Sequence, residues 1–178
     1  MKLFQLSYKT DKYQEYFELN KHITKNINYE LYDTQKIESF LEFYGYSELF
    51  QNLKIKHKHA ENAIKCDFIR LCILYEFGGI YIDADCVLKD LSFIYNLDDN
   101  ILHIPESRSM YFLKVNQNNP LIKELIYSYN SSQSIGYDID MISKLQLLKN
   151  SLKYKIFVNF IQDKELEKCF EHKKITTR

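Results

Sequence analysis

Between His59 and Phe77 apolar residues return at three- and four-residue intervals, so that Ala60, Ala63, Ile64, Phe68, Leu71, Cys72 and Tyr75 form one stripe. That spacing predicts a helix. Gly78 follows at once and supplies the left-handed residue on which a helix ends, and Gly79 lets the chain reverse tightly into the strand "IYID" at 80–83. Upstream, "LFQLS" at 3–7 predicts a first strand, followed by a helical stretch from about Lys12 to Lys21. "INYELYD" at 27–33 alternates as a half-buried strand does, and "TQKIESFLEFYG" then switches to helical spacing, with Thr34 as N-cap and Gly45 as stop. Downstream, "NILHIPE" and "SMYFLKVN" read as strands, and "NPLIKELIYSYN" as a helix starting after Pro120. "DIDMISKLQLLKN" has helical spacing, "YKIFVNFI" reads as a strand, and the charged end "KELEKCFEHKKITTR" leans helical and is expected to fray. Strands alternating with helices predict an α/β fold around a mainly parallel central sheet flanked by helices. Residues 1–178 suit a single compact domain.

Composition narrows the function. With 24 basic and 24 acidic residues the formal charge is zero, so no general electrostatic footprint for nucleic acid or an anionic membrane exists, and any anion must be held locally. Fifteen Tyr and twelve Phe, with no Trp, supply packing area and polar ring edges. Cys66, Cys72, Cys86 and Cys169 form no CxxC pair and are expected to be reduced and mostly buried. The start turns polar too soon for a signal peptide, and no window approaches the ~18 apolar residues of a membrane span, so the expected location is the cytoplasm.

The predicted strand at 80–83 ends in "DAD". Residues two apart on a strand share a face, so Asp83 and Asp85 can aim together, with small Ala84 leaving room between them. Two carboxylates so placed repel each other in a poorly solvated pocket unless a cation lies between them or they share a proton. A hard divalent ion, Mg²⁺ or Mn²⁺, satisfies them and keeps positions open for phosphate oxygens. An EF-hand loop beginning at Asp83 is excluded, because its sixth and twelfth positions are Leu88 and Ile94 in place of Gly and Glu. An exposed turn is the competing explanation of the triplet.

Asp67 and Arg70 interrupt the apolar run "CDFIRLCIL" one helical turn apart. Two readings stay open: an ion pair on a solvated face worth a few tenths of a kcal/mol, or an arginine that meets an anionic ligand beside an aspartate that accepts from its hydroxyls. His57 and His59 flank Lys58 in what reads as a solvated loop, and His103 as a core-edge residue. Glu106 is a candidate for the acceptor side of a cleft, while Asp138 and Asp140 read as a turn and a helix cap.

"AIKCDFIRLCILYEFGGIYIDADCVLKDL" resembles the central motif of the glycosyltransferases with a DXD-containing sugar-binding region, a group that includes yeast-type initiating mannosyltransferases and bacterial or viral capsular-sugar transferases. The matching positions are Ala63, Asp67, Arg70, Leu74, Tyr75, Gly78, Gly79, Tyr81, Asp83 and Asp85. Clear resemblance covers about residues 26 to 128 and is strongest over 60 to 91. It implies a GT-A-type fold with a Rossmann-like sheet and a UDP- or GDP-linked sugar donor. It implies Mn²⁺ or Mg²⁺ held at the diphosphate by Asp83 and Asp85, with Asp83, Asp85 and Arg70 as the catalytic set. It further implies donor binding by Asp67, Arg70, Tyr75, Gly79, Tyr81 and Asp83, with Phe4 and Tyr8 near the base. The implied reaction moves a hexose to a glycan or other hydroxyl acceptor with retention at the anomeric carbon. A sugar-binding relative without turnover and a plain interaction module are the alternatives.

Overall fold

A computed structural model of the chain describes residues 1–8, 10–24, 27–53, 55, 58–107, 110–129 and 158–172. Its first half runs β1 (Lys2–Leu6), α1 (Thr10–Ile23), β2 (Asn28–Tyr32), α2 (Thr34–Phe43), α3 (Ser47–Gln51), a 3₁₀ turn (Lys58–Ala60) and α4 (Glu61–Phe77). Then come β3 (Gly79–Ile82), β4 (Cys86–Leu88), α5 (Ser92–Tyr95), β5 (Leu102–Pro105), β6 (Phe112–Val115), α6 (Pro120–Ser128), β7 (Val158–Ile161), α7 (Asp163–Cys169) and β8 (Phe170–His172).

Six strands form one sheet in the order β2, β1, β3, β6, β5, β7. The pairings of β1 with β2, β1 with β3 and β5 with β7 are parallel, and only β6 runs against its neighbours. The mainly parallel α/β architecture expected from the alternating pattern is therefore the one observed. One edge of the sheet gathers the carboxyl ends of β1, β3, β5 and β7, the place where open α/β sheets leave a crevice for ligands.

Period-two alternation sorts the strand residues between two cores. Phe4, Leu6, Tyr81, Leu113 and Val115 face α2, α4 and α6, whereas Leu3, Ile80, Ile82 and Phe112 face α5, α7 and β8. α4 is buried on more than the predicted stripe: every residue from Asp67 to Leu74 is buried, because α6 covers the side that the sheet leaves open. Gly78 ends α4 at φ 61 with its N–H donating to Leu74 O. A Cβ on Gly78 would stand 2.4 Å from Gln117 N, and one on Gly79 2.5 Å from Lys2 O, so both positions require the missing side chain.

Two expectations need correction. Asp33, not Thr34, caps α2, accepting from Lys36 N at 2.8 Å, the third helical position where a capping oxygen reaches. Gly45 does stop that helix: Gly45 N donates to Glu42 O and Tyr46 N to Leu41 O, a Schellman closure. Of the terminal stretch expected to fray, residues 164–172 are packed instead, because α7 buries Leu166 and Cys169 and β8 pairs antiparallel with β4; residues 173–178 lie outside the described residues. The strand expected at 154–161 is seen at Val158–Ile161; its first residues, the helical pattern at 138–150, and His57, Asp138 and Asp140 lie outside the described residues. All four cysteines are free thiols, three buried and Cys66 half-buried. No helix among the described residues is long and apolar enough to cross a membrane.

Candidate active site

Arg70 is the hub of the site. α4 presents it toward the carboxyl end of β3, buried at 6% exposure beside Asp67 at 5%. Its Nη2 pairs with Asp67 Oδ1 at 2.7 Å and its Nη1 with Asp83 Oδ1 at 3.1 Å. Nη1 also donates to Met110 O at 2.6 Å, Nε reaches Cys66 O at 3.4 Å, and the guanidinium lies 4.5 Å over the Tyr81 ring. Burial opposes the positive charge, but Tyr81, Asp67 and Asp83 more than offset it and hold the group protonated well above its ordinary range. The solvated-face reading of Asp67 and Arg70 is thereby excluded; this is an interior pair whose geometry is fixed by planar, charge-assisted bonds.

Burial pushes the Tyr81 hydroxyl far above its ordinary range, so it stays protonated and donates to Asp83 Oδ1 at 2.8 Å. Both fixed contacts of Asp83 thus fall on one carboxylate oxygen. The Asp83 backbone N–H donates to Tyr111 O, and Cys86 N–H to Asp83 O, which closes the turn through Ala84 and Asp85.

This group opens into a cavity of about 300 Å³ between α4, the carboxyl ends of β1 and β3, and the start of α1. Asp83, Asp85, Arg70, Tyr81 and Tyr8 line it, together with Ser7, Lys12, Tyr13, Asn62 and Cys66. Burial pushes the Cys66 thiol up to about 12, so it stands here as a neutral wall group. Tyr8 carries a buried hydroxyl with no hydrogen-bond partner among the described residues, and buried polar groups in native proteins are nearly always paired. Among the described residues no group of three or more His, Cys, Asp or Glu comes together; Asp83 and Asp85 are the acidic residues of the cavity lining and would be the ones to hold a divalent ion there. Mg²⁺-type ions fit that donor set, since they keep several positions for water and phosphate oxygens.

Other residues singled out in the sequence lie elsewhere. Phe4 is 0% exposed, packed between the Tyr32 and Phe77 rings at 5.9 and 6.1 Å on the core face of β1, so it does not line the cavity. Tyr75 packs against the same core, its carbonyl accepting from Asn118 N, and Gly79 serves the close approach to Lys2. His103 is buried, with Nε2 2.7 Å from Asp98 O and Nδ1 3.1 Å from Asn159 Nδ2, as a core-edge histidine should be. His59 is exposed, and Glu106 is exposed with its N–H donating to Ile161 O. Lys12 and Tyr13 escaped the sequence reading, although they stand in the first turn of the helix that follows β1, where the carboxyl-edge rule places ligand contacts.

Solved structures similar to the chain include two glycosyltransferases. The chain is 15% identical to the PaToxG glycosyltransferase with a TM-score of 0.54, covering 85% of this chain and 68% of that one. It is 14% identical to the glycosyltransferase GlyE of Streptococcus pneumoniae TIGR4 at a TM-score of 0.49, covering 92% of this chain and 45% of that one. The apo form of GlyE gives 16% identity, a TM-score of 0.48, and coverage of 84% and 43%. None of the curated proteins matches. Residues 1–104 match the family model described as the glycosyltransferase sugar-binding region containing DXD motif. Since that match spans more than half of the 178 residues, the chain belongs to the glycosyltransferases of this DXD-containing family.

Proposed function

We propose that the chain transfers a hexose from a UDP- or GDP-linked donor to a glycan or other hydroxyl acceptor, with Mn²⁺ or Mg²⁺ held by Asp83 and Asp85. The observation that carries this reading is the buried Arg70 group opening, through Asp83, onto a cavity that also holds Asp85 and Lys12. Departure of a nucleoside diphosphate builds negative charge, and fixed positive groups at that position lower the barrier. A bound divalent ion supplies Lewis-acid neutralisation of that leaving group.

The protein's own residues divide the remaining work. Arg70 is committed to Asp67, Asp83, Met110 O and Cys66 O, so its role is to orient Asp83 and to keep the cavity wall rigid. Lys12 has no acidic partner among the described residues and faces the same cavity, which leaves it free to meet the diphosphate. Tyr81 donates a hydrogen bond to Asp83 and so holds one carboxylate oxygen, leaving Asp83 to turn the other toward ligand. Asp67 is buried behind Arg70 and outside the cavity lining, so its part is to hold the guanidinium that orients Asp83. The likeness of the central motif supports retention at the anomeric carbon as the outcome of the proposed transfer.

The test is release of free sugar from a panel of UDP- and GDP-hexoses with Mn²⁺, by wild type and by Asp85→Asn. Release by wild type, lost by at least about 10²-fold in Asp85→Asn, supports transferase chemistry at this turn. Mn²⁺-dependent nucleotide binding without release identifies a binding relative. No response to either nucleotide refutes the donor site.

A further inference from the structure

The aspartate turn is held from behind by two side-chain amides that have no contact with the cavity. Gln5 on β1 and Asn20 on α1 are both 0% exposed. Gln5 Nε2 donates to Asp83 O at 2.9 Å and to Cys86 O at 3.2 Å, so one amide clamps the carbonyls at the two ends of the turn. Asn20 Nδ2 donates to Cys86 O at 2.9 Å and to Gln5 Oε1 at 2.8 Å, while Asn20 Oδ1 accepts from Leu88 N at 2.8 Å. Tyr29 Oη donates to Gln5 Oε1 at 2.7 Å and completes the set. Every amide hydrogen and oxygen of Gln5 and Asn20 is thus engaged, and a buried polar network satisfied to that degree is rigid.

From this we infer that Gln5 and Asn20 are positioning residues for ligand binding at the aspartate turn. They act through the backbone of Asp83 and Cys86, and they fix the distance between two walls of the cavity. One wall is the turn bearing Asp83 and Asp85. The other is α1, which carries Lys12 and Tyr13 into the cavity two turns before Asn20 anchors it. An apolar side chain of similar size at either position fills the space but removes one of the two amide donors on Cys86 O and, at Gln5, also the side-chain donor on Asp83 O, so the turn is held by fewer bonds and its position loosens. The inference rests on the donor-site reading above, and it concerns affinity for the metal–nucleotide pair rather than folding alone. Outer partners of ligating carboxylates typically change metal affinity by ~10–100-fold when removed.

The experiment measures Mn²⁺ half-saturation of the thermal stabilisation given by UDP, and separately by GDP, in wild type, Gln5→Met, Asn20→Leu and Leu125→Ala. Leu125 is a buried residue of α6 outside the cavity lining, so its truncation lowers stability without touching the turn. Expected is a rise of about tenfold or more in half-saturation for Gln5→Met and Asn20→Leu, and less than about twofold for Leu125→Ala. Should Asn20→Leu not fold, Gln5→Met carries the comparison, since it leaves the Asn20 bonds to Cys86 and Leu88 in place. Variants of Gln5 and Asn20 that lose stability but keep the wild-type half-saturation overturn the inference and leave the donor site standing. A wild type that gains no Mn²⁺-dependent stability from either nucleotide overturns both.

Discussion

Replacing Arg70 by Met tests whether the hub works as an interior ion group. The change leaves Asp67, whose side chain is 8% exposed, with its 2.7 Å partner gone, and Met110 O without its donor. Breaking a buried pair by removing one member costs about 3–5 kcal/mol, whereas an exposed pair contributes roughly 0–1 kcal/mol. Asp83, at 29% side-chain exposure, can rehydrate, so most of the expected loss comes from Asp67. For a protein of this size each kcal/mol moves Tm by ~2–4 °C, giving a fall of about 6–20 °C. The loss should shrink as pH is lowered from 7 toward 5: a buried carboxylate deprived of its arginine has a raised folded-state pKa, and protonation then relieves the buried charge. The double variant Asp67→Leu with Arg70→Met, which discards both charges, should recover much of the single-variant loss. Urea denaturation followed by circular dichroism measures all four corners of the cycle. An Arg70→Met cost under about 1 kcal/mol, or single costs that simply add, refutes the interior-pair account.

Three further outcomes follow from the same contacts. Gly79→Ala, at φ 105 with its Cβ 2.5 Å from Lys2 O, should cost about 2–4 kcal/mol, against about 1 kcal/mol for Gly45→Ala at φ 74 with open space around it; equal costs by urea titration contradict the close approach. His103 is held neutral below its ordinary 6.5 mainly by burial, so its stabilising contribution is complete above that value and is lost as pH falls through the lower folded-state pKa. A His103→Gln variant should therefore flatten the decline of Tm between pH 7 and 5, and an unchanged slope counts against the assignment. Lys12→Met should weaken UDP or GDP binding by about tenfold while leaving the nucleoside alone unaffected, and the difference should narrow as salt is raised; equal loss for nucleoside and diphosphate contradicts a charge contact.

Local signals made much of this fold legible. The α4 stripe, the two glycines and the aspartate triplet are adjacent in sequence, and each element dictates the next, so the path from Ala63 to Asp85 reads directly. Burial of Asp67 and Arg70 was not legible, since an i,i+3 charge pair looks the same on a wet face and on a covered one. Distant groups decide it: α6 covers α4, and Met110 offers its carbonyl from the approach to β6. The placing of Phe4 near the base failed for a local reason, because β1 alternation turns Phe4 toward the helices while Gln5 and Leu3 face the other side. Asp33 and Thr34 are both good caps, and only the bond to Lys36 N separates them. β4 and β8 are three residues each, too short to carry a period, and Gln5 and Asn20 give no signal at all until their partners are seen.

The β4–β8 pairing has a bearing on synthesis. A chain leaving the ribosome in order has β1, β2, α4 and β3 available early, and with them Arg70, Asp67 and Asp83. The strand that backs Cys86 to Leu88 arrives only with Phe170 to His172. All the residues that line the cavity, from Leu6 to Asp85, are therefore synthesised before the strand that braces the segment behind the aspartate turn.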